Sequence, residues 1–216
     1  MVQRVVVTID GPSGTGKSSV SRAVALEAGL PHLDTGAFYR VATLAALQQN
    51  APLDDGRALA EVVANMDLEF EEGQMLLDSE DVTFEIRGDL VTANVSQVSA
   101  HPEVREIFVA AQRDWVANHG WRAVVEGRDI GSVVFPDATI KIYLDARPEV
   151  RASRRALQSE DDFGQVFDEI KRRDHLDSTR ATSPLTIPEG ATVVDTSDLN
   201  FDEVVAQIVD MISPKS

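Results

Sequence analysis

The stretch Val5-Val-Val-Thr-Ile-Asp10, followed at once by Gly11-Pro-Ser-Gly-Thr-Gly-Lys-Ser-Ser19, decides the fold. Its first six residues are mostly β-branched, as is typical of a strand buried in a parallel sheet. Apolar residues then recur at helical spacing between Val20 and Ala28. The sequence therefore predicts a strand, a glycine-rich loop and a helix. The loop matches the pattern G-x-x-x-x-G-K-[ST], in which backbone N–H groups converge on the phosphates of a nucleotide.

The predicted ATP-binding loop is one continuous set of residues: Gly11, Pro12, Ser13, Gly14, Thr15, Gly16, Lys17, Ser18 and Ser19. In this pattern Lys17 reaches the β- and γ-phosphates, and the Ser18 hydroxyl ligates Mg²⁺. A glycine-rich turn could match by chance in about one chain in a hundred, before the flanking strand and helix are required. With both flanks present, we interpret the segment as a P-loop for ATP or a related nucleoside triphosphate.

The charge of the chain bears on its partners. The net charge is -16 and the pI is near 4.5, whereas proteins that bind polynucleotides present basic surfaces. Arginines nevertheless outnumber lysines 16 to 4, and seven of the arginines lie between Arg147 and Arg180. They form either a solvated helical face or an anion-binding cluster, since a guanidinium matches phosphate oxygens. This concentration favours a small phosphorylated ligand over a polynucleotide.

Several classes of site are excluded by composition. The absence of cysteine rules out disulfides and cysteine-ligated zinc, and it agrees with a reducing compartment. The four histidines are scattered without a ligand pair, so we expect them at the surface or at helix caps. No signal peptide and no long apolar run are present. We expect a cytoplasmic monomer without a membrane partner.

The remaining chain alternates short strands with helices, which is typical of an α/β fold. Further strands are predicted near residues 30–34, 123–126, 140–144 and 192–196, and a small antiparallel meander between about residues 66 and 83. An amphipathic helix is predicted from Pro102, and another over 202–212. Two basic helices flank an acidic break over 159–164, as expected for a closing lid.

The class of P-loop protein follows from what accompanies the loop. No guanine-reading segment of the N-K-x-D type is present, and the strand 140–144 does not end in paired acids. Arg128 and Asp129 follow the strand 123–126, at the edge where parallel sheets bind ligands. Arg105 lies off its helix's apolar stripe, so it is either solvated or directed at a ligand. These features favour a small-molecule kinase, which needs arginines around the transferred phosphoryl group.

The chain resembles the bacterial cytidylate kinases, a family of nucleoside monophosphate kinases. The resemblance covers nearly the whole chain and is carried by these segments: Ile9–Lys17, Asp34-Thr-Gly-Ala-Phe-Tyr-Arg40, Ser96-Gln-Val98 with Pro102 and Arg105, Gly127-Arg-Asp-Ile-Gly131 with Val134-Phe-Pro-Asp137, and Arg173-Asp-x-x-Asp177-x-x-Arg180. Thr35 stands where the family often has serine, and Glu126 where it commonly has aspartate. His175 and Leu176 make the lid less charged than in some relatives.

The resemblance implies a five-stranded parallel P-loop NTPase core flanked by helices. The core would comprise residues 1–35 and 101–216, with a short lid at about 155–180. An inserted nucleoside monophosphate-binding domain would occupy residues 36–100. The implied reaction transfers the γ-phosphoryl group of ATP, bound with Mg²⁺, to CMP or dCMP, and gives CDP or dCDP and ADP.

The resemblance also implies residue roles. Ser96, Arg105 and Asp129 would read cytosine, and Arg173 and Asp177 would hold the ribose. The implied acceptor-phosphate ligands are Arg40, Arg128 and Arg180, and Thr35 completes the CMP-binding set. The implied catalytic residues are Lys17, Arg128 and Arg180. A kinase for UMP, AMP or a non-nucleotide alcohol, and a nucleotide-gated regulatory protein, remain open as alternatives, and turnover with a monophosphate separates them.

Overall fold

A computed structural model describes residues 4–71, 73–159 and 162–212. Contacts divide the chain into two compact units, Met1–Leu33 with Val116–Ser216, and Asp34–Trp115. The second unit therefore extends to Trp115, beyond residue 100, where the resemblance places the end of the inserted domain. The physical reason lies in the helix after Pro102, whose Phe108 ring packs edge-on against the rings of Phe38 and Tyr39 at 5.7 and 5.1 Å.

The elements of the described residues follow one another along both units. In chain order they are β1 (Val5–Asp10), α1 (Lys17–Ala28), β2 (His32–Asp34), α2 (Thr35–Gln48), α3 (Gly56–Asn65), β3 (Leu68–Glu71), β4 (Gln74–Leu77), β5 (Glu80–Asp81), α4 (Asp89–Val98), α5 (Pro102–Asn118), β6 (Arg122–Gly127), β7 (Ile140–Asp145), α6 (Pro148–Ser159), α7 (Phe163–Thr179), β8 (Thr192–Asp195) and α8 (Phe201–Ile212). A short 3₁₀ helix covers Glu85–Arg87, and a π-helical turn covers Ile130–Val134.

The first unit is built on a five-stranded sheet in the order β2-β6-β1-β7-β8. The central strand β1 pairs in parallel with β6 and β7, and β7 pairs in parallel with β8. The sheet residues Val7, Ile9 and Val124 are fully buried in one core cluster with α1 and α8 side chains. The predicted α/β fold with a five-stranded parallel sheet is confirmed. Its loops after β1, β6 and β7 emerge at the edge where ligands bind such sheets.

The second unit contains the predicted meander. Strand β4 pairs antiparallel with both β3 and β5, and Met75 of β4 is buried. Helices α3 and α4 were not predicted from the sequence. Asp55 caps α3 by accepting hydrogen bonds from the N–H groups of Arg57 and Ala58, as a good N-cap residue does.

Helices α6 and α7 form the region predicted as a lid. Helix α7 begins after Asp162, which accepts a hydrogen bond from the N–H of Gln165. It continues to Thr179, so that Asp174 and Asp177 lie within the helix. Glu160 and Asp161 of the predicted acidic break lie outside the described residues. Among the helices that the structure describes, none combines the length and apolar character needed to cross a membrane.

Candidate functional site

The glycine-rich loop lies between β1 and α1, as predicted. Gly11 has a φ of +147°, and a Cβ there would lie 2.1 Å from the carbonyl oxygen of Leu144, so that only glycine fits. Gly16 precedes α1 with a φ of 86° and no capping side chain. The first N–H groups of a helix lack intrahelical partners and attract anions. The loop and helix terminus thus have the local geometry of a phosphate site.

Lys17 lies at the start of α1 and is only 7% exposed. Its Nζ donates a hydrogen bond of 2.6 Å to the carbonyl oxygen of Pro12. Burial, followed by the positive charge of Arg128, lowers the pKa of Lys17 well below 10.5, although three nearby carboxylates act in the opposite direction. An anionic ligand beside the ammonium would favour its charged form. The lysine is therefore suited to a phosphate.

Ser18 and Glu126 form an oxygen-rich pair next to the loop. The Ser18 hydroxyl donates to Glu126 Oε2 at 3.0 Å, and His32 Nε2 lies 3.2 Å from Glu126 Oε1. Hydroxyl and carboxylate oxygens are the ligands that Mg²⁺ prefers, and it commonly takes one or two carboxylates together with substrate phosphates. In the described ranges no group of three acidic or histidine side chains could hold a metal ion alone. The pair thus fits a metal that arrives with a nucleotide.

Asp10 connects the end of β1 to the turn after β6. Its carboxylate is fully buried and accepts hydrogen bonds from the N–H groups of Ile130 at 2.7 Å and Gly131 at 2.8 Å. A Cβ at Gly131 would lie 2.8 Å from the Thr8 hydroxyl and 3.2 Å from Asp10 Oδ2. Burial raises the pKa of Asp10 from 3.8 to about 6, against the lowering by the two N–H groups. Asp10 therefore holds the segment that follows Arg128 and Asp129.

The raised pKa of Asp10 predicts a dependence of stability on pH. A carboxyl group with a higher pKa in the folded than in the unfolded chain favours folding when protonated, so stability falls as the pH rises through about 6. Between pH 5 and pH 7 this group lowers the free energy of unfolding by about 1 kcal/mol. In Asp10→Asn this contribution is missing. The free energy of unfolding, measured by urea denaturation, should therefore fall by about 1 kcal/mol less over this interval than in the unmodified protein. Identical pH dependence in both proteins would contradict the prediction.

Arg128, at the end of β6, contacts both the loop and α7. Its Nε donates to Asp177 Oδ2 at 2.9 Å, and its Nη1 donates to the carbonyl oxygen of Gly11 at 3.1 Å. Burial raises the pKa of Asp177, but Arg128 and two further arginines outweigh it, so the net shift is downward. Arg173 is 6% exposed, and burial together with the charge of Arg128 lowers its pKa to about 10. Three residues predicted to bind CMP thus lie in one cluster.

A second ion pair lies in the same unit. Arg180 Nη2 lies 3.6 Å from Asp129 Oδ1, and both side chains are almost fully buried. The Nε of Arg180 also donates to the carbonyl oxygen of Ser183. The carboxylate that the resemblance assigns to the base therefore pairs with an arginine that the resemblance assigns to the phosphate.

The other four predicted CMP-binding residues lie in the second unit. Thr35 is buried at the first position of α2. One turn later, Arg40 Nη1 donates to the Ile86 carbonyl oxygen and the Thr92 hydroxyl, both at 3.0 Å. These contacts hold the Arg40 guanidinium against the start of α4.

Ser96 and Arg105 are joined through Ser99, in the turn between α4 and α5. The Ser99 hydroxyl donates to the Ser96 carbonyl oxygen at 3.2 Å, and Arg105 Nη1 donates to the Ser99 carbonyl oxygen at 3.1 Å. Arg105 is 3% exposed, and its guanidinium carbon lies 5.3 Å from the ring centroid of Tyr39. The solvated alternative for Arg105 is therefore wrong.

Four residues that contact the site in the first unit were not predicted from the sequence: Asp10, His32, Glu126 and Arg151. The position of Glu126 at the carboxyl end of a strand was a usable signal. His32, expected at the surface or at a cap, instead approaches the buried carboxylate of Glu126. Arg151 carried no local signal, because its contact with the loop joins residues 138 positions apart.

The chain is similar to known proteins over nearly its full length. A sequence model of the cytidylate kinase family matches residues 7–214. The chain is 51% identical to a cytidylate kinase of Rhodococcus opacus (98% of this chain, 96% of that protein) and 49% identical to one of Mycobacterium leprae (98% and 97%). The structure superposes with a TM-score of 0.55 on a gluconokinase from Sinorhizobium meliloti, at 15% identity and 97% and 91% coverage, a likeness of fold alone. The chain belongs to the cytidylate kinase family.

Proposed function

We propose that this chain transfers the γ-phosphoryl group of ATP to CMP or dCMP, giving CDP or dCDP and ADP. The observation that carries the proposal is identity near one half, over almost the full length, to curated cytidylate kinases. The phosphate-binding loop between β1 and α1 supports the donor half of the reaction. Arg128 after β6 and Arg173 on α7 provide positive charge, which supports an anionic acceptor.

The reaction needs no covalent intermediate with the protein. The acceptor phosphate oxygen attacks the γ-phosphorus in line, so catalysis consists of positioning and of stabilising the charge on the transferred group. Lys17 supplies an ammonium from the loop, while Arg128 and Arg180 supply guanidinium groups. Because Lys17 and the Arg180 side chain are buried and Arg128 is partly buried, their interaction with phosphoryl oxygens is stronger than it would be in water.

Mg²⁺ would accompany ATP, with Ser18 and Glu126 as the residues that hold it. When bound, the ion neutralises charge on the β- and γ-phosphates. The hydrogen bond from the Ser18 hydroxyl to Glu126 Oε2 holds these two oxygens next to each other. His32 restrains the other oxygen of Glu126.

For the acceptor, we assign the phosphate to Arg40, Arg128 and Arg180, and the base to Ser96, Arg105 and Asp129. Thr35 is the remaining residue of the second unit that we propose to bind CMP. The ribose is assigned to Arg173 and Asp177. Arg173 supports this assignment, because its buried Nε and Nη1 have no hydrogen-bond partner among the described residues. A buried donor without a partner is costly, and ligand hydroxyl groups would supply the acceptors.

The test is a coupled assay of ADP release with CMP, dCMP, UMP, AMP and GMP as acceptors. We expect turnover with CMP and dCMP that depends on Mg²⁺, and little ADP release without an acceptor. Faster turnover with another monophosphate would show that this monophosphate, and not CMP or dCMP, is the acceptor. Tight ATP binding without turnover on any acceptor would instead indicate a regulatory protein.

We also propose that the protein is a cytoplasmic monomer. The absence of cysteine agrees with a reducing compartment such as the cytoplasm. Light scattering coupled to size-exclusion chromatography, with and without ATP, measures the mass directly, and a dimer mass would refute the monomer.

A further inference from the structure

Arg151 lies on α6 and contacts three other parts of the first unit. Its Nε donates to the Ala146 carbonyl oxygen at 2.9 Å, and its Nη1 donates to the Ser13 carbonyl oxygen at 3.0 Å. The same Nη1 lies 2.7 Å from Asp174 Oδ2, and the Arg151 side chain is 4% exposed. One buried guanidinium therefore joins the start of α6, the phosphate-binding loop and α7.

The loop is shaped to receive α6 at this point. Gly14 has a φ of +80°, and a Cβ there would lie 3.0 Å from Arg151 Cβ and 3.2 Å from the Arg151 carbonyl oxygen. Helix α6 therefore packs directly on the loop backbone, next to the carbonyl group that Arg151 binds. The contact fixes the loop in one register against the helix.

Asp174 brings α7 into the same network. It is adjacent to Arg173 and one helical turn before Asp177, the two residues to which the proposed function assigns the ribose. In the described part of the chain its Oδ1 has no hydrogen-bond partner, so the carboxylate is held through Oδ2 by Arg151. Arg151 thus ties this turn of α7 to Ser13 of the phosphate-binding loop, beside the separate link that Arg128 makes between Gly11 and Asp177.

Contacts other than those of Arg151 also join α6 and α7. Ala152, Val166 and Ile170 form a buried apolar cluster between the two helices. Arg155 and Glu169 add a second, more exposed ion pair at 3.9 Å. What Arg151 adds is the connection of this helix pair to Ser13.

We propose that Arg151 is a positioning residue, which fixes the acceptor-holding turn of α7 relative to the phosphate-binding loop and so sets the distance between donor and acceptor. This inference rests on the proposed function. A displacement of about 1 Å between reacting groups can lower the rate by about 10²-fold. Substrate binding tolerates such a displacement better, so Arg151 acts on kcat more than on KM.

The test compares Asp174→Asn, Arg151→Met and the double variant. Asp174→Asn keeps the hydrogen bond to Ser13 and weakens only the link to α7, and we expect kcat to fall about 10-fold with both KM values within about 3-fold. Arg151→Met should lower kcat at least as much. The double variant should be no worse than Arg151→Met, since both changes break one network. Asp174→Glu should recover part of the activity.

Two control variants make the same kinds of change, from a carboxylate to an amide and from arginine to methionine, at ion pairs away from the loop. Glu169→Gln removes the other ion pair between α6 and α7, and Arg147→Met removes an exposed bidentate pair with Asp198 near the start of α6. We expect kcat within about 2-fold of the unmodified protein for both. Thermal unfolding of every variant shows whether it folds, and where Arg151→Met fails to fold, Arg151→Lys takes its place.

The outcomes separate this inference from the proposed function. A protein without substitutions that does not phosphorylate CMP refutes the function. If it does phosphorylate CMP while folded Asp174→Asn keeps full kcat, only the role of Arg151 is refuted. Loss of kcat together with large increases in both KM values and a lowered Tm would indicate a purely structural residue and would also overturn the inference.

Discussion

Lys17→Met is expected to lower kcat by about 10²-fold or more while leaving the protein at least as stable. The loss of rate follows because the ammonium stabilises charge that develops on the transferred phosphoryl group. Stability is retained because the buried lysine is costly to ionise, as its lowered pKa indicates, and methionine of similar length removes that cost. The Pro12 carbonyl oxygen keeps a donor, since the Thr15 hydroxyl also binds it at 3.2 Å.

The measurements are steady-state kinetics with CMP and thermal unfolding at neutral pH. Lys141→Met is the matched control, because Lys141 donates to the Glu189 carbonyl oxygen at an exposed position, and its kcat should stay within about 2-fold. Near-normal turnover in Lys17→Met would remove the lysine from the reaction. A folded protein with a strongly lowered Tm would show that Lys17 acts in the fold.

The second large effect concerns the choice of base. CMP is expected to exceed UMP by about 10²-fold or more in kcat/KM, because an ionised carboxylate accepts a hydrogen bond from the cytosine amino group but repels the uracil carbonyl. Asp129 is 4% exposed, so the mismatch occurs away from water and is costly. The amide of Asp129→Asn can also donate a hydrogen bond. This variant should therefore have a smaller CMP-to-UMP ratio of kcat/KM, mainly because its activity with CMP is lower.

Asp129 also pairs with Arg180, so its substitution will lower activity with both acceptors. The CMP-to-UMP ratio of kcat/KM is therefore the measurement that tests base reading. Asp177→Asn serves as the comparison. It makes the same chemical change in a carboxylate assigned to the ribose, which CMP and UMP share, so both activities should fall by similar factors. A CMP-to-UMP ratio near one in the unmodified protein, or one unchanged by Asp129→Asn, would exclude Asp129 from base reading.

Local sequence patterns predicted most strands of the first unit's sheet. The run Val5–Asp10 forms β1 as predicted, and β6, β7 and β8 lie within a residue or two of their predicted positions, because β-branched runs between turn residues are strong local signals. Helices α3 and α4 were missed. Leu59, Val62 and Val63 have helical spacing that could have revealed α3, whereas α4 is rich in valine, which favours strands until packing decides otherwise.

The site was predictable only in part. Ser18, Lys17 and Gly11 follow from a motif whose residues are close in sequence. The roles of Asp10 and Arg151 depend on partners more than 100 residues away, and no periodicity or spacing encodes such contacts. The assignments of Arg40, Ser96, Arg105 and Arg173 to parts of CMP come from family resemblance and remain predictions.

The carboxylates that pair with Arg128 and Arg180 also affect how strongly small anions bind to these arginines. Arg128 is bound by Asp177, and Arg180 faces Asp129, so a lone chloride or inorganic phosphate must compete with a carboxylate for either guanidinium. A nucleotide compensates for that competition with hydrogen bonds from its sugar and base, which a small ion does not have. The pairing therefore favours nucleotides over small anions, and the arginines stay available to a nucleotide when simple anions are present.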